Sequence, residues 1–194
     1  INYPLFINEL NVFAGVTGGL ERNSFSSLIS QNQWFVMSEN LVFNNNKKID
    51  FFGGLKGNFA QKLGYKAQLS FKNYNNLHFF VNHPLDSTQF TVVSDSGNTS
   101  VVTLNGEMSY EISEKLTSSI NLTYNSYSLS TLDEAFHRPN LILAINSSYN
   151  IQNKVTLKGQ INYISGLKGY SFGKSEIVEL NEIIRSIFIN LLKT

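Results

Sequence analysis

Apolar and polar residues alternate along most of this chain. Residues 63 to 74 put Tyr65, Ala67, Leu69 and Phe71 on one face and Lys66, Gln68, Ser70 and Lys72 on the other, a period of two that predicts a strand. The same pattern recurs at 102 to 112 (Val102, Leu104, Gly106, Met108, Tyr110 and Ile112 against Thr103, Asn105, Glu107, Ser109 and Glu111) and at 116 to 130 (Leu116, Ile120, Leu122 and Tyr124 against Thr117, Ser119, Asn121, Thr123 and Asn125). It returns at 141 to 149, with Leu141, Leu143, Ile145 and Tyr149 opposite Asn146 and Ser148, and at 155 to 164, with Val155, Leu157, Gly159, Ile161 and Tyr163 opposite Thr156, Lys158, Gln160 and Asn162. Residues 10 to 20 (Leu10, Val12, Ala14, Val16, Leu20) and 49 to 59 (Phe51, Leu55, Phe59) follow it less cleanly. The segment 177 to 192 is nearly continuous in apolar residues, and its β-branched content favours a strand over a short helix.

The connections are of two kinds. Phe59-Ala-Gln-Lys-Leu63, Ile112-Ser-Glu-Lys-Leu116 and Ile151-Gln-Asn-Lys-Val155 are tight hairpin turns. The intervening stretches 21 to 38, 75 to 89, 131 to 139 and 165 to 176 are rich in Asn, Ser, Gly, His and Pro and read as long loops. About eight meandering strands result, with every short turn at one end and every long loop at the other.

Several runs reach ten or more residues, where a tilted strand of about 9 to 11 crosses a bilayer and a soluble strand averages about five or six. Aromatic residues fall in two bands of the apolar face: Phe59, Tyr65, Tyr110 and Tyr149 beside the short turns, and Phe71, Tyr124 and Tyr163 toward the other end. The fold expected is all-β, an antiparallel transmembrane β-barrel forming one domain over residues 1–194, as a segment of a larger barrel. Two other architectures fit the alternation: a small closed eight-stranded barrel with a structural or adhesive role, and a soluble β-sandwich binding module with the apolar stripe buried under a second sheet.

Composition changes this picture little. Charged residues are 15% and aromatics 13% of the chain, so neutral Asn, Gln, Ser and Thr supply most of the polar faces. A net charge of +1 with scattered lysines argues against a nucleic-acid partner. Cysteine is absent, which excludes disulfides and thiolate metal sites. No run approaches 18 apolar residues, so no transmembrane helix is expected, and the first residues show neither an initiator Met nor a signal pattern, as in a piece lacking its leader. A mean hydropathy of −0.11 does not decide for water, because alternating strands average their two faces.

Catalytic signals are weak. His78, His83 and His137 fall in loops with Asp86, Asp133 and Glu134, but no spacing resembles a paired metal-ligand motif, and solvated loop residues are the reading kept. There is no Gly-x-Ser-x-Gly elbow, and the strand glycines precede no phosphate-binding helix. Neither an enzyme nor a cofactor is expected. Trp34, Phe35, Phe79, Phe80, Phe136 and His137 are the loop residues that could contact a ligand, with packing of the loops on one another as the alternative.

Four phrases carry a family likeness: Gly18-Gly-Leu-Glu-Arg-Asn-Ser-Phe25, Asp50-Phe-Phe-Gly-Gly-Leu-Lys-Gly57, Phe79-Phe-Val-Asn82 and Phe136-His-Arg-Pro139. With the hairpin rhythm, they resemble the carboxy-terminal part of TonB-dependent-receptor-type outer-membrane barrels over roughly residues 9 to 180. The resemblance implies a segment of a barrel of up to about 22 strands in a bacterial outer membrane, with short turns in the periplasm and long loops outside. It implies uptake or binding of an extracellular solute, with Lys66, Lys72, Glu107, Glu111, Lys158, Gln160 and Asn162 facing the lumen. Outer-membrane lipid is an implied partner, as is a TonB energy-coupling protein or a lipoprotein reached through regions not in this chain. The chain departs from that family in carrying neither a plug nor a TonB box, and in ending Leu-Leu-Lys-Thr194 where such barrels commonly end on an aromatic residue. A fragment cut at both ends is the expectation.

Overall fold

The computed structural model describes residues 2–6, 10–37, 46–59, 62–151, 155–171, 176–186 and 190–193. The chain order is β1 (Asn2–Phe6), β2 (Leu10–Glu21), α1 (Phe25–Gln31), β3 (Asn46–Phe59), β4 (Leu63–Asn75), β5 (His78–Asn82), β6 (Phe90–Ser94), β7 (Asn98–Ser113) and β8 (Leu116–Ser128). It continues with β9 (Leu141–Ile151), β10 (Val155–Ser165), β11 (Lys168–Ser171), β12 (Glu176–Glu179), β13 (Ile183–Ser186) and β14 (Asn190–Lys193). Among the described residues ten strands form one sheet in the order β1-β2-β3-β4-β7-β8-β9-β10-β13, with β14 also on β10. All its pairings are antiparallel.

The register ties the separate alternations into two continuous faces. One row runs Tyr3, Val12, Leu55, Ala67, Gly106, Leu122, Leu143, Tyr163, Ile184 across nine strands. A one-residue slip anywhere would send an apolar set to the polar face, so the pattern and the pairing fix each other. The apolar face is bare: Phe51 is 57%, Leu69 41% and Ile161 47% exposed. Among the described residues no second sheet covers it, since the other two sheets are the hairpins β5–β6 and β11–β12.

Buried apolar side chains gather instead at the long-loop end. Leu77, Phe79, Val81, Ala135 and Phe136 form one cluster, and Leu28, Phe35 and Val92 a second. Tyr74 and Tyr127 pack against the first cluster. Both sit on the polar face of the sheet, in register with Lys48 and Val101. The loops thus fold over the upper part of the polar face and build their own core there.

Several sequence expectations are refined. The loop at 21 to 38 contains α1, whose N-cap Ser24 accepts from Ser27 N (3.2 Å) while Ser27 Oγ accepts from Ser24 N (2.9 Å), a reciprocal cap that starts a short helix without strong periodicity. The loop at 75 to 89 opens on β5, paired with β6, and the loop at 165 to 176 carries β11. Segment 177 to 192 splits: β12 pairs β11, whereas β13 and β14 pair successive halves of β10 as one edge; residues 187–189 lie outside the described residues. So do residues 60–61 and 152–154 of the first and third turns. In the second turn Ser113 Oγ accepts from Leu116 N (3.2 Å), and the register shifts between Glu111 and Ser113.

Candidate functional site

The polar face is a surface of cross-strand hydrogen bonds. Lys66, Lys72, Glu107, Glu111, Lys158, Gln160 and Asn162 all lie on it, opposite the apolar rows. Lys66 and Glu107 are direct cross-strand partners with Nζ 3.4 Å from Oε1. Lys72 Nζ donates to Thr103 Oγ1 (3.2 Å), which donates to Asn125 Oδ1 (2.9 Å), and Thr123 Oγ1 donates to Asn105 Oδ1 (2.9 Å). Gln160 Nε2 donates to Asn162 Oδ1 (3.0 Å). A concavity of about 360 Å³ toward the short-turn end is lined by Asn11, Asn58, Ser109, Ser119 and Asn121 with Lys56, Lys66 and Glu107, and a neighbour of about 390 Å³ by Thr117, Asn146, Ser148, Lys158 and Gln160. Neutral amides and hydroxyls outnumber charges in both.

The loop layer caps the other end of this face, and the β5–β6 hairpin is its centre. Phe79 and Val81 contribute to the cluster with Ala135 and Phe136, while Phe80 and Val92 join Leu28 and Phe35 of the α1 segment, so successive residues pack on opposite sides of the hairpin. Phe90 N donates to Trp34 O (2.9 Å) and Val36 N to Phe90 O (2.8 Å), which adds the α1 segment to the edge of β6. The Arg138 guanidinium lies over Phe79, 5.1 Å from the ring centroid, and its Nη2 donates to His78 O (3.0 Å). Lys168 Nζ pairs with Glu134 Oε1, which raises the pKa of the lysine.

One residue that sequence reasoning missed holds the layer together. Asp95, fully buried, follows β6. Its carboxylate accepts from the Thr99 hydroxyl, from the backbone N–H groups of Ser130 (3.0 Å), Thr131 (2.6 Å) and Leu132 (3.3 Å), and from Thr131 Oγ1 (2.7 Å). Burial alone would raise its pKa, but the donors from Thr99, Ser130 and Thr131 hold the carboxyl far below the ordinary carboxylate range. Its only sequence signal is a lone Asp in a polar stretch, because most of its partners are backbone groups about 35 residues away.

The aromatic loop residues separate by exposure. Phe79 is 1%, Phe35 4% and Phe136 7% exposed, so these three form the scaffold, whereas Trp34 is 60% exposed. Phe80 is half-buried with its ring edge-on to Phe35 (6.2 Å) and His78 (6.0 Å). His137, at φ +54°, meets Phe90 edge-on at 5.1 Å. Among the described residues no three of His, Asp and Glu converge as a metal site would require.

No family model and no curated protein matches the chain. Solved structures do. The pyoverdine outer membrane receptor FpvA from Pseudomonas aeruginosa PAO1, bound to pyoverdine, aligns over 91% of this chain and 26% of its own, at 13% identity and a TM-score of 0.58. The copper transporter OprC aligns over 84% of this chain and 25% of its own (15% identity, TM-score 0.58). The siderophore receptor PiuA from Acinetobacter baumannii aligns over 95% of this chain and 27% of its own (13% identity, TM-score 0.56). The chain spans about a quarter of the length of each. Its fold is that of a segment of these receptor barrels, which is the resemblance carried by the hairpin rhythm and loop phrases.

Proposed function

We propose that this chain forms part of the wall and outer loops of a bacterial outer-membrane receptor or transporter of the TonB-dependent type, which binds or takes up an extracellular solute and is not an enzyme. The observation that carries this reading is the pair of faces: an apolar face bare across nine strands, backed by a polar face on which the loop layer builds its core. Bare apolar rows of this extent suit lipid, and a hydrogen-bonded neutral face suits a wet lumen.

In this reading Lys66, Lys72, Glu107, Glu111, Lys158, Gln160 and Asn162 line the lumen, the short turns lie in the periplasm and the loop layer faces outward. Trp34 and Phe80 are the loop groups offered to a solute, on a scaffold built by Phe35, Phe79, Phe136 and His137. Energy coupling through TonB, or a lipoprotein partner, would act through parts of the receptor beyond the span shared with its structural neighbours.

The test is a labelling experiment in lipid. Spin labels at Leu69, Leu122 and Ile161 are expected to be quenched by oxygen dissolved in the bilayer, and labels at Lys66, Asn121 and Gln160 by a water-soluble nickel chelate. The reverse assignment, or aqueous accessibility at all six positions, would sink the membrane reading. A small closed barrel would require β1 to pair with β13 or β14; among the described residues these strands are the two edges of the sheet. A soluble sandwich would require cover for the apolar face, and monodispersity without detergent would favour it.

A further inference from the structure

We infer that His78 and His137 act as an acid-operated latch of the loop layer: as neutral imidazoles they close its two seams, and their protonation releases the α1 segment and the 129–140 loop from the β5–β6 hairpin. His78 stands in the first seam. It is 6% exposed, its Nε2 lies 3.4 Å from Gln31 Oε1 at the end of α1, and its buried Nδ1 has no partner among the described residues. His137 stands in the second seam. Its backbone N–H donates to Lys168 O (2.8 Å), its ring meets Phe90 edge-on, and its buried Nε2 likewise has no partner among the described residues.

A neutral imidazole tolerates one bare nitrogen as an unused acceptor, whereas the imidazolium carries a proton on both and needs an acceptor or water at each. Among the described residues Gln31 Oε1 can serve only one nitrogen of His78, and neither His78 Nδ1 nor His137 Nε2 has an acceptor. The charged group acting on His78 from the packed elements is Arg138, whose cation opposes a second charge, and α1 itself, Phe25–Gln31, contains no ionisable residue. On the loop that carries His137 the charged residues are Asp133, Glu134 and Arg138, and on β11 Lys168, which is already paired with Glu134. Burial, assisted by Arg138, brings His78 down to about 4, and burial lowers His137.

The sign follows. A histidine whose folded pKa is depressed gives full stability above its unfolded pKa of about 6.5 and loses it as pH falls toward the folded value. For His78 this favours opening on the order of a hundredfold by pH 4. The latch is a property of the loop layer, and only its biological setting, an outward-facing layer exposed to external acid, rests on the receptor reading.

Hydrogen exchange of the whole chain in detergent micelles, followed from pH 7.5 to 4 and corrected for the intrinsic rate, tests it. Amides of 24–36 and 129–140, with that of Phe90, are expected to lose protection between pH 6.5 and 4 while β8 and β9 stay protected. His78→Phe, which keeps a ring against Phe80, and His137→Asn, which tolerates a positive φ, should each weaken the transition, and the double variant should remove it. The latch is overturned if the wild-type loops stay protected to pH 4, if β8 and β9 open together with them, or if the double variant opens at the same pH. None of these outcomes depends on lipid accessibility, so the latch and the receptor reading can fail separately.

Discussion

Asp95→Ala is expected to open the loop layer at neutral pH while leaving the large sheet intact. The substitution strands three backbone N–H groups, at Ser130, Thr131 and Leu132, and two hydroxyls, at Thr99 and Thr131, that now converge on one buried carboxylate. Each hydrogen bond to a charged group contributes about 1.5–3 kcal/mol, and a buried donor left bare costs about 1–3 kcal/mol. Some of these donors regain water once the loop moves, so the local cost should be on the order of 4 kcal/mol. Hydrogen exchange should show 76–97 and 129–140 deprotected by the corresponding factor, with β8 and β9 unchanged; retained protection in those loops would show that Asp95 is not their clasp. Asp95→Asn keeps one acceptor oxygen and should fall between. Because the folded pKa of Asp95 is depressed, its contribution is present above an unfolded value of 3.8 and is lost only as pH falls further. Acid opening between pH 6.5 and 4 therefore belongs to the histidines.

Gly54→Ala should damage the sheet itself. A Cβ at residue 54 would fall on the carbonyl oxygen of Ala67, 2.7 Å from Phe13 Cζ and 3.0 Å from Gln68 Cα. The Phe13 ring can rotate away, but the Ala67 carbonyl and Gln68 Cα belong to β4, so the β3–β4 ladder must part locally. The expected loss is on the order of 3 kcal/mol, seen as a lower urea midpoint in micelles. Gly53→Ala is the internal control. Its Cβ would meet only ordinary contacts, 3.7 Å from Phe13 O and 4.0 Å from Ala14 Cβ, and its effect should stay within about 0.5 kcal/mol. Equal effects from both would mean that crowding at Gly54 is not what keeps glycine there.

How much of this was legible in the sequence follows from which forces leave a periodic trace. The long strands did, because each has one apolar and one polar face: Tyr65 through Phe71 and Leu116 through Tyr124 could be assigned to faces before their partners were known. The hairpin β5–β6 left none. His78-Phe-Phe-Val-Asn82 and Phe90-Thr-Val-Val-Ser94 are packed on both sides, so Phe79 and Phe80 are both wanted and the alternation disappears. The helix α1 is too short for a helical period, and its capping pair, Ser24 and Ser27, is made of residues common in any loop. Asp95 was illegible for another reason: its role is defined mostly by backbone donors on a distant segment, which have no residue type. The division of the loop aromatics into Trp34 at the surface and Phe35, Phe79 and Phe136 in the scaffold likewise depends on tertiary packing alone.

The position of the buried clusters gives the chain two thermal personalities. In the receptor reading the apolar face of the large sheet rests, in the folded state, on lipid or detergent whose own order changes with temperature. The loop layer, with Leu77, Phe79, Val81 and Phe136 withdrawn from water, takes its heat-capacity increment from the hydration of apolar groups alone. Its stability should therefore curve with temperature as that of a small aqueous domain does, with a maximum and a weakening on cooling. The wall beneath should follow the phase and thickness of its bilayer instead, so chilling acts on the two halves of the molecule through different physics.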